Sequence, residues 1–190
     1  MFGKKPVSPP AGPSQPVAAQ PAAAALPSGW LMQILTAEYA VTGYFPPVAM
    51  PLLGWLNVPT QAAVTLNKAQ VIALDSPVEL SAEARTEVTI PKCAIVGIVP
   101  LDDASLRSAS TQIHPRKERA IIYAGPFVVQ AYFRLAGEAP LQYLYGSAPG
   151  DMLVVSDAEI CLTRPNTNFP PLKAPVFLLS KSQITLYYPA

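Results

Sequence analysis

Two stretches of this chain repeat one another, which restricts it to folds that one unit can form twice. Tyr39-Ala40-Val41-Thr42-Gly43-Tyr44-Phe45 matches Phe127-Val128-Val129-Gln130-Ala131-Tyr132-Phe133. Pro51-Leu52 with Trp55-Leu56 matches Pro140-Leu141 with Leu144-Tyr145. Val64 to Val71 matches Leu153 to Ile160, and Lys92-Cys93-Ala94-Ile95 matches Lys181-Ser182-Gln183-Ile184. The offset is 88 residues at the Tyr-Phe pair and 89 afterwards, so a single inserted residue reconciles the copies. The division that follows is a tail at 1–28, a first repeat at 29–101, a linker at 102–119 and a second repeat at 120–190.

Apolar spacing indicates a mainly β unit. The run from Ala62 to Leu74 alternates, but its parity flips: Val64 and Leu66 share one phase, while Ala69, Val71 and Ala73 take the other. Leu153 and Val155 followed by Ala158, Ile160 and Leu162 do the same. A one-residue slip turns a strand over, so a bulge or sharp bend is expected at Asn67-Lys68 and Ser156-Asp157. Pro51 suits the start of a short helix over Leu52, Leu53, Trp55 and Leu56. Trp30, Leu31, Ile34 and Leu35 follow Ser28-Gly29 at helical spacing, which predicts a short helix or turn capping the first unit. Each copy closes with two short strands about a tight turn, at Pro91-Lys92 and at Ser180-Lys181. The polar stretch from Leu101 to Arg119 reads as a linker with a helical turn at Asp103–Arg107. Residues 1–28 hold seven prolines and seven alanines and few large apolar groups. Such a segment cannot offset its ordering entropy by burial, so a disordered tether is expected.

The expected architecture is therefore two tandem small β-barrels of about five strands, each with a short helical insert. Val154-Val155-Ser156-Asp157-Ala158-Glu159 resembles the first motif of the Sm-like fold. Thr89-Ile90-Pro91-Lys92-Cys93-Ala94-Ile95 and Leu178-Leu179-Ser180-Lys181-Ser182-Gln183-Ile184 resemble its second. The RNA-contacting Asp and Met-Asn segment of that family is absent, and its Arg-Gly turn is replaced in both copies. Gly43, Leu56-Asn57, Leu66-Asn67-Lys68-Ala69 and Lys92 with Ile95 are also similar to a pattern in uncharacterised bacterial domains. In the second copy, Ala131 replaces that glycine and Tyr145-Gly146 replaces the Leu-Asn pair.

Composition narrows the functional classes. Charged residues are 13% of the chain against 51% hydrophobic, about half the charge usual for a globular protein, so apolar partner surfaces are expected. A net charge of +1 disfavours binding driven by phosphates. The sole histidine, His114, lies in the linker, so no serine or cysteine triad can be assembled around a fixed base. Asp102-Asp103 is a carboxylate pair with the same linker setting. No phosphate loop, metal-ligand spacing or acidic calcium loop occurs, and no catalytic residue, cofactor or metal is expected. Cys93 and Cys161 occupy non-equivalent positions, which predicts free, buried thiols in a reducing compartment. No apolar run reaches the length of a membrane-spanning helix, and the amino end lacks a signal-peptide core; a cytoplasmic protein without a membrane span is expected.

The candidate binding residues are Lys92 and Lys181, which hold the same turn in both copies, and Tyr143, Tyr145, Tyr187 and Tyr188. Solvated turn lysines are the plain reading of the first pair, and contact with an anionic partner the functional one. The cluster His114-Pro115-Arg116-Lys117-Glu118-Arg119 carries the same two readings. Six of the eight tyrosines fall from Tyr123 onward, and Tyr187 and Tyr188, adjacent on a strand, cannot both face one core. A non-catalytic structural, assembly or adaptor protein is expected, binding protein partners or itself through barrel surfaces. The alternative is an Sm-like RNA-binding protein; a small-ligand sensor with a pocket between the barrels is the third reading.

Overall fold

The computed structural model describes residues 29–75, 85–109, 116–135, 137–138, 140–141, 150–164 and 169–190. The expected tail at 1–28, His114, Tyr143 and Tyr145 lie outside these residues. The first copy supplies β1 (Trp30–Thr36), β2 (Tyr39–Phe45), α1 (Leu52–Leu56), β3 (Ala63–Ala73), β4 (Arg85–Pro91) and β5 (Ile95–Pro100). Helix α2 (Asp103–Ala109) follows. The second copy supplies β6 (Arg116–Ala124), β7 (Phe127–Leu135), β8 (Met152–Leu162), β9 (Leu172–Ser180) and β10 (Ile184–Pro189).

All ten strands form one antiparallel sheet in the order β10-β6-β7-β8-β9-β5-β1-β2-β3-β4. The order β5-β1-β2-β3-β4 of the first copy recurs as β10-β6-β7-β8-β9 in the second. The duplication therefore appears as a repeated strand order within a mainly β fold. The two separate closed barrels expected from the sequence do not form. The sheet is open and runs from one copy into the other through β5 and β9, with Gly97 opposite Leu179 and Ile98 opposite Leu178.

The reason lies in the outward face of β5. Ile95 and Ile98 join the core of the first copy, while Val96 and Val99 belong to the core of the second, together with Phe127, Phe177 and Leu179. Met152 and Leu178 cross the other way into the first core. A strand apolar on both faces must be covered on both, and with β9 beside it the cores of the two copies cover one face each.

The same physics overturns the expected helix at Ser28–Glu38. Strand β1 lies between β5 and β2, with Met32 and Ile34 in one core and Leu35 in the other. Burial on both faces removes the two-residue alternation that would have marked a strand. The closing hairpins are corrected too. A 3₁₀ turn over Lys92–Ala94 follows β4, and β4 continues along β3 while β5 crosses to β1. The turn over Lys181–Gln183 sends β9 to β8 and β10 to β6 in the same way. The two last strands of each copy thus do not pair with each other, and each keeps an edge for something else.

Other expectations agree with the structure. Lys68 and Asp157 have φ of 49° and 52°, and register shifts fall opposite them, between Thr42 and Tyr44 and between Gln130 and Tyr132. The parity flip is therefore a bulge at equivalent points of β3 and β8. Helix α1 covers Leu52–Leu56 after Pro51, burying Leu52 and Leu56. The expected helical turn at Asp103–Arg107 lies within α2 (Asp103–Ala109), whereas Arg116–Arg119, expected as linker, opens β6. Arg116 pairs with Glu118 at 2.9 Å, and Lys117 pairs with Asp157 at 2.9 Å and lies over the Tyr132 ring, so charge on this strand end is largely matched within the fold.

Asp102, one of the linker carboxylates, caps α2. Its Oδ1 accepts from the Ser105 N–H at 2.6 Å and its Oδ2 from the Leu31 N–H at 2.9 Å. The Ser105 hydroxyl accepts from the Asp102 N–H at 3.1 Å, completing a reciprocal cap that ties α2 to β1. Partial burial pushes the carboxyl up, but the hydrogen bonds from Ser105, Leu31 and Ala104 outweigh it and hold Asp102 below its ordinary 3.8. A carboxyl depressed in the folded state stabilises it fully above its unfolded value, and that contribution fades as pH falls through the lower, folded value. Asp102→Ala is expected to lower stability by about 1 kcal/mol at neutral pH. The deficit against the parent chain should shrink in acid below about pH 4. Urea melts of both proteins at neutral and acid pH test this; an unchanged deficit in acid would contradict it.

Candidate functional site

Among the described residues, the two ends of the sheet are β4 and β10, each paired on one side only. Unpaired edges expose a row of N–H and C=O groups and are usually guarded by charges, prolines or bulges. Strand β4 carries Arg85 and Glu87 and ends at Pro91. Strand β10, Ile-Thr-Leu-Tyr-Tyr-Pro, contains no charge, and its one proline is its last residue.

The repeat allows each edge strand to be compared with its counterpart inside the sheet. All six residues of β5 are buried, whereas β10 has none buried. Ile184 and Tyr187, the counterparts of Ile95 and Ile98, pack on the second core. Thr185, Leu186 and Tyr188, the counterparts of Val96, Gly97 and Val99, point away from it. Leu186 is 54% exposed and Tyr188 41%, against 1% for Val96 and Val99. The expectation that one of Tyr187 and Tyr188 reaches the surface is met by Tyr188. Its ring lies 6.4 Å from that of Tyr123, and a hydrogen bond between the two raises the Tyr188 phenol above its ordinary value.

Beside β4 a groove of about 630 Å³ opens, lined by Tyr39, Val41, Val88, Ile90, Cys93 and Gln183, whose amide donates to the Cys93 carbonyl at 2.9 Å. Its counterpart in the second copy is filled. Phe127 replaces Tyr39 and is fully buried, where Tyr39 is 38% exposed. Phe177 replaces Val88, and its ring occupies the space over Gly97: a Cβ there would lie 2.1 Å from Phe177 Cζ. Val96 covers the turn at Gly125, whose φ of +54° suits glycine and whose added Cβ would meet Val96 Cγ2 at 3.0 Å. The groove at β4 is thus the place that β5 covers in the second copy. A volume of this size also lies in the range of small-ligand pockets. Its filling by protein in the duplicate favours a peptide-like occupant.

Lys92 and Lys181 stand at equivalent points of the two 3₁₀ turns, both half-buried. The Lys92 ammonium donates to the Val58 carbonyl at 3.3 Å, and its backbone N–H donates to the Ala62 carbonyl at 2.9 Å. The Lys181 N–H donates to the Asp151 carbonyl at 2.7 Å, while the Asp151 carboxylate accepts from the Ser180 and Ser182 hydroxyls. The backbone bonds anchor both turns, a structural duty that accounts for the shared position. Cys93 is exposed on the groove and Cys161 is half-buried, so the expected burial of both thiols is corrected, although both are free. Among the described residues, no cluster of three or more His, Cys, Asp or Glu side chains is placed to hold a metal ion, and no helix is long and apolar enough to cross a membrane.

Val88, Gly97, Phe177 and Leu186 were not singled out from the sequence, yet the signal was present. At aligned positions, Val88 stands against Phe177 and Gly97 against Leu186, and in both pairs the side chains differ in size. No family model matches the chain, and neither a curated protein nor a solved structure matches it.

Proposed function

We propose that this protein is a non-catalytic assembly module that joins protein partners, its own copies included, by strand addition at the open edges of its sheet. The observation that carries this reading is the contrast between β5, buried along its whole length and paired with β9, and β10, which has the same place in its copy and shows Leu186 and Tyr188 to solvent. An uncharged, apolar edge is a template for another strand: backbone hydrogen bonds supply affinity and alternate side chains supply specificity. The low charge of the chain agrees with a surface meant to be covered. Of the cations named for the RNA-binding alternative, Lys92 already donates to a backbone carbonyl, and Arg116 and Lys117 pair with Glu118 and Asp157.

Light scattering on the full chain over a wide concentration range tests the reading. Species heavier than the 20.2 kDa chain are expected, growing with concentration. A strict monomer throughout, with no protein co-purifying from the native cell, overturns it.

A further inference from the structure

We infer that the occupant of the β4 groove is the β10 strand of a second copy, so that molecules join head to tail. The inference rests on the assembly reading above and names its partner. One such joint is already built inside each chain, where β9 receives β5 with Leu179 opposite Gly97 and Leu178 opposite Ile98. The repeat places Ile90 and Thr89 of β4 where β9 has Leu179 and Leu178. It places Leu186 and Tyr187 of β10 where β5 has Gly97 and Ile98. The free edges at the two ends of the sheet are thus the two halves of one joint, and joining them continues the sheet in the same order.

The side chains fit this pairing in a specific way. At the internal joint the bulk sits on the receiving strand, as Phe177, and the added strand is bare at Gly97. At the outer edges the bulk has changed sides: the receiving strand has Val88, and the added strand has Leu186. Leu186 therefore fills the groove that Val88 leaves open, and Thr185 and Tyr188 are covered as Val96 and Val99 are. The exchange also prevents confusion. A β10 strand cannot displace β5 from β9, because Leu186 would meet the Phe177 ring where even one Cβ lies 2.1 Å from it. Because the two edges differ, the contact is heterologous and propagates from molecule to molecule until ends meet.

Two variants, one at each edge, test the inference by sedimentation velocity of the full chain. Val88→Phe fills the groove but leaves β10 intact; Leu186→Asp puts a charge on β10 but leaves β4 intact. Leu186 is exposed in the single chain, so its replacement should not disturb folding, which thermal melts check. Each variant alone is expected to associate at least about tenfold more weakly than the parent. Their equimolar mixture should form a heterodimer and nothing larger, since one good β10 meets one good β4. Adding Leu186→Gly to Val88→Phe rebuilds the Phe177–Gly97 pair and should restore association. Parent-like assembly by either variant, or a mixture that stays monomeric, overturns the head-to-tail joint while leaving assembly through another surface standing. A parent chain that is monomeric at every concentration overturns this inference and its own-copy assembly together.

Discussion

Phe177→Ala is expected to lower the unfolding free energy by about 3–5 kcal/mol, the largest loss from any single truncation at the joint between the copies. The ring is fully buried, belongs to the core of the second copy and fills the space above Gly97. Its removal leaves a cavity between β9 and β5 that backbone pairing on both sides keeps from collapsing. Such a loss is a large fraction of the total stability of a domain. Urea unfolding followed by tryptophan fluorescence and by far-ultraviolet circular dichroism measures it. A loss below about 1 kcal/mol would mean that the joint is not packed as described.

The second large effect is expected at the partner position. Gly97→Leu places a side chain where a Cβ alone would lie 2.1 Å from Phe177 Cζ and 2.9 Å from the Leu178 carbonyl oxygen. The ring is fully buried, so the cost should reach about 3 kcal/mol, at the upper end for overpacked cores. Phe177→Val in the same chain should recover much of it, because the smaller side chain, the one the first copy has at Val88, leaves the ring's space to the new leucine. A double-mutant cycle with a coupling of about 1–3 kcal/mol is expected; additive effects would show that the two positions do not share one space.

Much of the local structure was readable before any coordinates. The parity flips at Asn67-Lys68 and Ser156-Asp157 marked bulges because a strand covered mainly on one face must keep its phase, and a break in phase needs an extra residue. Pro51 and the apolar run after it marked α1. Where both faces of a strand are buried, the pattern failed: Trp30, Leu31, Ile34 and Leu35 looked helical because β1 serves two cores at once. Arg116–Arg119 looked like a linker because those charges sit at the end of β6 beyond its pairing with β10, where solvent and neighbouring charges satisfy them.

By itself, the amino-acid order determined the duplication, most strands of each copy and the bend in β3 and β8, since these follow from spacing and from local backbone chemistry. Only the tertiary structure decided that the copies share one sheet, and which edges stay open. Both copies carry a receiving strand and an added strand, and size differences such as Val88 against Phe177 do not by themselves say which pair is joined within the chain. A chain of two copies can close one such joint within itself, between β9 and β5. The remaining halves, β4 and β10, are left at opposite ends of the sheet.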